Sequence, residues 1–251
     1  MQVIERVADW RATRRGLEGT LGFVPTMGAL HAGHLSLIDR SLEENAATLV
    51  SIFVNPTQFD NAQDLASYPD RSAADRAQLE ARGVPYLWTP LRDELYADDY
   101  RYRVSEHAFA KILCGAHRPG HFDGVLTVVM KLLNVAQADR AYFGEKDFQQ
   151  LQLVRGMVDA FFIPTEIKGC PTVREADGLA LSSRNLKLSA AERAQAAAFP
   201  RALATAATAA DARASLEAQG FAVDYVEDRE GRRFGAVRLG DVRLIDNVVL
   251  A

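Results

Sequence analysis

The chain has 251 residues, of which 48% are hydrophobic and 25% charged, and its formal net charge is -4. That length allows one large domain or a main domain with a smaller partner, and the mild acidity excludes a global basic field that would draw in nucleic acid or an anionic membrane. The start, MQVIERVADWRATRR, lacks the apolar core and small-residue cleavage pattern of a signal peptide, and no later run is long enough to cross a bilayer; a cytoplasmic protein with no membrane and no nucleic-acid partner is expected. Cys114 and Cys170 are the only cysteines and form no C-x-x-C pair, so two ordinary thiols are expected rather than a disulfide or zinc framework.

The first periodic unit begins at residue 19. GTLGFVPT (19–26) is short, apolar and β-prone; HLSLIDRSLEEN (34–45) places Leu35, Ile38 and Leu42 on one helical face; ATLVSIFVNP (47–56) is a second buried strand. Together they make a βαβ unit. The alternation continues through a helical SAADRAQLEARG (72–83), an apolar VPYLWTP (84–90), a helical VLTVVMKLLNVAQ (125–137), a strand-like RAYFG (140–144), a helical DFQQLQLVRGMVDAF (147–161) and a strand near IPTEIKG (163–169). Such alternation predicts an α/β fold, a Rossmann-like parallel sheet covered on both faces with its function at the carboxyl ends of the strands. The character changes after SSRNLKLS: an alanine-rich helical stretch from about Ala190 to Ala218 precedes three strand-like pieces, FAVDYVED, FGAVRLG and VRLIDNVVL. The expected organisation is therefore a main domain over 1–174 and a small C-terminal α+β domain over 175–251.

Five polar clusters fall at the ends of these strands. In VPTMGALHAGH, residues 24–34, a turn carrying Gly28 and Gly33 enters a helix, and backbone N–H groups at a helix N-terminus suit an anion. The glycine spacing matches a Walker loop, but His34-Leu35 stands where Lys and Ser/Thr are required, so a P-loop is excluded. His31 and His34 would instead offer imidazole N–H donors to phosphate, against the plainer reading of cap or core histidines. SIFVNPTQFD ends a strand in Asn55, Pro56 and Gln58, whose amides suit a hydroxyl or carboxylate, or simply close a turn. CGAHRPGHFDGVLTVV places Arg118 and His121 before an apolar helix, where a solvated basic loop is the default explanation. YFGEKDFQQL puts Lys146 at the positive end of a helix, a position that gains nothing from the dipole and makes sense opposite an anion. PTVREADGLALSSRN gathers Arg174, Glu175, Asp177, Ser182, Ser183, Arg184 and Asn185 at the domain junction, either as a polar linker or as a clamp for phosphate.

The order and spacing of PTMGALHAGH, FVNPTQF, RPGHFDGVLTVV, YFGEKDFQQL and PTVREADGLALSSRN closely resemble the pantoate-β-alanine ligase (pantothenate synthetase) family, densely from about Val24 to Leu188 and again at GDVRLIDN. That family belongs to the nucleotidyltransferases in which an H-x-G-H element, here HAGH, and a serine-containing second signature, here SSRN, hold ATP. The resemblance implies ATP-dependent joining of pantoate and β-alanine through pantoyl adenylate, with release of pyrophosphate and then AMP. It implies His34 as the catalytic histidine, with His31 binding phosphate and Lys146 stabilising the α-phosphate transition state. The segments it places around ATP are Met27, Gly28, Ala29, Leu30, His31, Ala32, Gly33 and His34; Gly144, Glu145, Lys146 and Asp147; and Val173, Leu181, Ser182, Ser183 and Arg184. Gln58 and Gln150 match glutamines that hold pantoate, with Asn55 a weaker substrate candidate. Mg2+ would be held mainly through the ATP phosphates, and no protein ligand for it is singled out. A homodimer and a C-terminal lid over ATP are further expectations of the family. Two departures stand out: Asp70 follows Tyr-Pro where the family usually has arginine, and the C-terminal domain is shorter than is typical. The alternative enzyme is a nucleotidyltransferase acting on a phosphorylated small molecule; an aminoacyl-tRNA synthetase would want an RNA-binding appendage, and a sensor without chemistry would not need His31, His34, Lys146 and Arg184 together.

Overall fold

The computed structural model describes residues 1–59, 65, 66, 68, 69 and 71–250. Six parallel strands form the main sheet in the order β1-β4-β3-β2-β5-β6: β1 (Gln2–Ile4), β4 (Tyr86–Trp88), β3 (Ala47–Ile52), β2 (Leu21–Thr26), β5 (Arg140–Gly144) and β6 (Glu166–Cys170). The α/β expectation holds, and so does its reason: Phe23, Val24, Leu49 and Val50 are fully buried on strands covered on both faces. Burying each such side chain stabilises the sheet by roughly 1.5–3 kcal/mol.

From β2 the chain runs outward through β3 to β4, then crosses back to place β5 on the opposite side of β2. The sheet therefore has a topological switch point between β2 and β5, where open α/β sheets leave a crevice at the carboxyl ends of their strands. Helix Ala32–Glu44 follows β2 and helix Phe148–Ala160 follows β5, so their first turns flank that crevice. Helix His121–Ala136 is apolar nearly all round, with eleven buried residues, and lies in the core beneath it.

The C-terminal part forms a separate antiparallel sheet, β7 (Ala222–Arg229), β8 (Arg232–Leu239) and β9 (Val242–Val249). The alanine-rich helical stretch is made of three helices, Ala190–Ala196, Ala198–Thr205 and Ala209–Ala218. A capping box between Thr208 and Asp211 starts the last of them, and the chain before it is extended at Ala206. Their apolar face packs on this sheet through Phe199, Leu203, Leu216 and Val237. Tyr225, Phe234 and Ala236 belong instead to the buried cluster of the main sheet's helices, so the two parts share apolar contact. Among the described residues no helix is long and apolar enough to cross a membrane.

Candidate active site

A cavity of about 1140 Å³ opens at the switch point. Its wall is made by Met27, His31, Gly33 and His34 after β2, Asn55 and Gln58 after β3, Gly144, Lys146, Asp147 and Gln150 after β5, and Val173, Leu181, Ser182, Ser183 and Arg184 after β6. The C-terminal sheet closes the far side with Tyr225, Arg238, Asp241, Arg243 and Asn247. Residues from all five polar clusters read from the sequence thus meet in one space: four clusters follow strands whose carboxyl ends point the same way, and Arg118 and His121 reach it from the turn before helix His121–Ala136.

The two histidines begin helix Ala32–Glu44 as a reciprocal cap. His31 Nδ1 accepts the Gly33 N–H at 3.1 Å, and His34 Nδ1 accepts the His31 N–H at 3.4 Å. With each Nδ1 acting as acceptor, the proton of the neutral ring sits on Nε2. The rings lie 4.1 Å apart at 33°. Burial, then the neighbouring His31, pull the His34 pKa down to about 3; burial, then Lys146, lower that of His31. At neutral pH the pair is uncharged. The cap reading holds and is compatible with the donor reading, since Nδ1 serves the helix and Nε2–H is left to face a ligand.

The turn before them differs from the expectation that its backbone would cradle an anion. The Ala29 and Leu30 N–H groups donate to Asp75 Oδ2 and Oδ1 at 2.7 and 2.8 Å, and the Gly28 N–H donates to Thr26 Oγ1 at 3.2 Å. Gly28, Ala29, Leu30 and Ala32 are absent from the cavity wall. The physical reason is Asp75, 1% exposed on helix Ser72–Ala81, whose carboxylate fills the anion position from the protein side. Both Gly28 (φ 78) and Ala29 (φ 51) are left-handed, a strain for Ala29 that the bidentate carboxylate offsets.

Asn55 and Gln58 have distinct jobs. Asn55 is 1% exposed; its Oδ1 accepts from Tyr96 Oη at 2.7 Å and its Nδ2 donates to Gly124 O at 3.2 Å and to Gln58 Oε1 at 3.1 Å. The Gln58 amide is thereby turned so that its Nε2 points to Met27 Sδ, 2.8 Å away at the cavity wall. Asn55 is therefore bound up in protein contacts and orients Gln58, a reason to rank it below Gln58 as a substrate contact. The neighbouring glutamines both border the cavity but differ: Gln149 is 5% exposed and its amide is taken up by Cys114 N, Phe109 O and Ile112 O, while Gln150 is half-buried.

The solvated-loop reading of Arg118 and His121 is corrected. Gln58 O accepts from His121 Nδ1 at 2.9 Å and from Arg118 Nη2 at 3.2 Å, and both side chains line the cavity. Helix His121–Ala136 comes close enough for this because Gly124 offers no Cβ to the Thr57–Gln58 backbone.

Lys146 lies in the 3-10 turn Glu145–Asp147 leading into helix Phe148–Ala160, with Nζ 3.8 Å from Asp147 Oδ2. Ser182 caps the turn Ser183–Lys187 by accepting the Arg184 N–H at 3.2 Å. Asp70 lies outside the described residues. Sequence reading missed Asp75, Tyr96 and Asn247. Asp75 reads as one more solvent-facing charge in a polar helix, and Asn247 lay within GDVRLIDN, where period-two alternation alone would have marked alternate inward positions without saying what they meet.

Comparison with known proteins agrees with this geometry. The profile of the family described as pantoate-beta-alanine ligase matches residues 1–249. The chain is 55% identical over 247 residues to a pantothenate synthetase of Bdellovibrio bacteriovorus, covering 98% of both, and 49% identical over 252 residues to one from Legionella pneumophila, covering 100% of both. Its structure is similar to that of a Francisella tularensis pantoate-beta-alanine ligase complexed with beta-gamma ATP and beta-alanine, with a TM-score of 0.95, 39% identity and coverage of 99% and 97%. A Thermus thermophilus pantothenate synthetase gives a TM-score of 0.92 at 41% identity, covering 99% of both chains. The short C-terminal part is thus shared with these relatives. A full-length family match, close relatives over the whole chain and a common architecture lead to one conclusion: the chain belongs to the pantoate-beta-alanine ligase family of enzymes.

Proposed function

We propose that this enzyme condenses pantoate with β-alanine in two steps in the single cavity at the switch point. A pantoate carboxylate oxygen attacks the α-phosphorus of ATP, the bond to the bridging oxygen breaks, and pyrophosphate leaves. The neutral amine of β-alanine then attacks the acyl carbon of pantoyl adenylate, the bond to the AMP oxygen breaks, and the amine proton is released. The observation that carries this reading is the juxtaposition in one cavity of His31 and His34 after β2 and Lys146 after β5, adjacent strands, with Gln58 and Gln150 in the same wall.

Pantoate brings its own nucleophile, so the protein's work is alignment and neutralisation of charge on the transferring phosphate. The Nε2–H groups of two uncharged imidazoles donate to phosphate oxygens without changing protonation, and Lys146 supplies the positive charge beside them. Ser182, Ser183 and Arg184, in the same cavity wall, offer donors to the remaining phosphates. Gln58, with its amide direction set by Asn55, and Gln150 offer donor and acceptor groups to a small hydroxy acid. Among the described residues no three metal-ligating side chains converge; a magnesium ion, which keeps waters and leans on substrate phosphates, fits such a wall as a companion of ATP that neutralises phosphate charge.

The test is release of AMP and pyrophosphate from ATP and magnesium with pantoate alone, β-alanine alone, or both. Sustained AMP release only with both acids, matched by pantothenate, is expected. Turnover that needs neither acid, or none with protein that binds ATP, would remove the assignment in favour of nucleotidyl transfer to another substrate.

A further inference from the structure

The C-terminal sheet does more than cover the cavity. Asn247 on β9 is 4% exposed, and every polar group it has is engaged. Its Nδ2 donates to Glu145 O at 2.9 Å and Lys146 O at 3.1 Å; its Oδ1 accepts from Arg232 Nη1 at 2.6 Å; its N–H donates to Asp246 Oδ1 at 2.8 Å; its carbonyl accepts from Arg174 Nη2 at 3.3 Å. Asp246, also 4% exposed, holds Arg174 through both oxygens at 2.6 and 2.9 Å. Arg232 in turn reaches Glu145 Oε2 at 3.3 Å.

Three of these contacts, the two from Asn247 Nδ2 and the one from Arg232, end on Glu145 and Lys146, the residues that begin the Lys146 turn. The Lys146 amine is 3.8 Å from Asp147, too far for a hydrogen bond to fix it, so the direction of its side chain depends on where its main chain is held. We propose that Asn247 is a positioning residue for Lys146: one amide from the C-terminal sheet grips two consecutive carbonyls of the turn and so aims the lysine into the cavity. This inference rests on the proposed role of Lys146 in adenylation.

Asn247→Asp separates positioning from stability. A carboxylate keeps the size and gives Arg232 a better partner, but it replaces the donor to Glu145 O and Lys146 O with an oxygen that repels both carbonyls. Single-turnover pyrophosphate release with ATP, magnesium and pantoate should slow by about 10- to 100-fold, the effect of misplacing a catalytic group by roughly 1 Å. Binding of ATP should weaken far less, the thermal midpoint should fall by no more than the roughly 2–12 °C that losing a buried hydrogen-bond donor costs, and amide hydrogen exchange should quicken within 144–150 alone. Asn247→Ala, which removes the amide without adding a charge and leaves Arg232 its contact with Glu145, should show the same local exchange and rate loss if the Asp variant folds poorly. A wild-type rate with unchanged exchange would overturn the inference, and so would a rate loss that tracks a fall in midpoint and faster exchange throughout the chain. If the wild-type protein releases no pantoate-dependent pyrophosphate, the functional reading fails, and the exchange measurement alone decides whether Asn247 holds the turn.

Discussion

Gly124→Ala sets two general effects against each other at a site where geometry decides. In helix His121–Ala136 the change should add about 1 kcal/mol of helix stability by propensity. A Cβ there, however, would stand 2.3 Å from Thr57 O, 2.6 Å from Thr57 C and 2.9 Å from Gln58 N, where ordinary contact begins near 3.4 Å. The obstruction is main chain, which cannot rotate away, so the Thr57–Gln58 segment must retreat by about 1 Å. Overpacking of this kind costs about 1–3 kcal/mol, so the clash outweighs the propensity gain by up to about 2 kcal/mol. At roughly 2–4 °C per kcal/mol for a chain of this size, the midpoint should fall by up to about 8 °C. The same shift stretches the Asn55 Nδ2 bond to Gly124 O and carries Gln58 away from its place, so kcat/KM for pantoate should fall by about 100-fold. Thermal unfolding and steady-state titration of pantoate test both halves. A raised midpoint with an unchanged pantoate response would show that the helix and the Gln58 turn do not constrain each other as described.

Three other outcomes follow. Asp75→Asn leaves one of the Ala29 and Leu30 N–H groups facing an amide donor; a buried donor left unsatisfied costs about 1–3 kcal/mol, so thermal unfolding should show a midpoint lower by roughly 2–12 °C, together with slower adenylation, and an unchanged midpoint would refute the anchoring role. His34→Ala and Lys146→Ala should each keep the fold by circular dichroism and lose adenylation by at least about 100-fold, with near-normal turnover refuting their roles. The third concerns acid. His34 titrates near 6.5 when unfolded and about 3 when folded, so between those values the unfolded chain binds the extra proton, and stability that is full above pH 6.5 is lost as pH falls through that window. For one proton the slope is at most about 1.4 kcal/mol per pH unit, less what the open cavity screens. Urea unfolding between pH 4 and 6.5 should therefore be less pH-dependent in His34→Ala; parallel curves would contradict the buried neutral imidazole.

The βαβ unit over residues 19–56 was legible because its strands are apolar runs and Leu35, Ile38 and Leu42 share a helical face. Strand β1 and helix Val7–Arg15 were not, since one is three residues long at the sheet edge and the other buries only Trp10. The alanine-rich segment was legible as helical, but its division into three helices was not, because propensity says nothing about where capping interrupts it. His31, His34, Lys146 and Gln58 stood out because unusual side chains followed strand ends, Gln150 came from the family resemblance alone, and all five line the cavity. Asp75, Tyr96 and Asn247 were hidden, because each acts on the backbone or amide of another residue and its local sequence is ordinary. The same limit explains Arg118 and His121: their contact with Gln58 O depends on the absence of a side chain at Gly124, which no local pattern encodes.

The most direct test of the chemistry follows the pantoate carboxylate oxygen. With pantoate carrying oxygen-18 in its carboxylate, attack on the α-phosphorus followed by amine attack on the acyl carbon leaves one labelled oxygen in the phosphate of AMP. Mass spectrometry of AMP formed in the presence of ATP, magnesium, pantoate and β-alanine should show that single label in every turnover. Unlabelled AMP, or label in inorganic phosphate accompanied by ADP, would mean that the carboxylate is not adenylated, and the account of His31, His34 and Lys146 would fall with it.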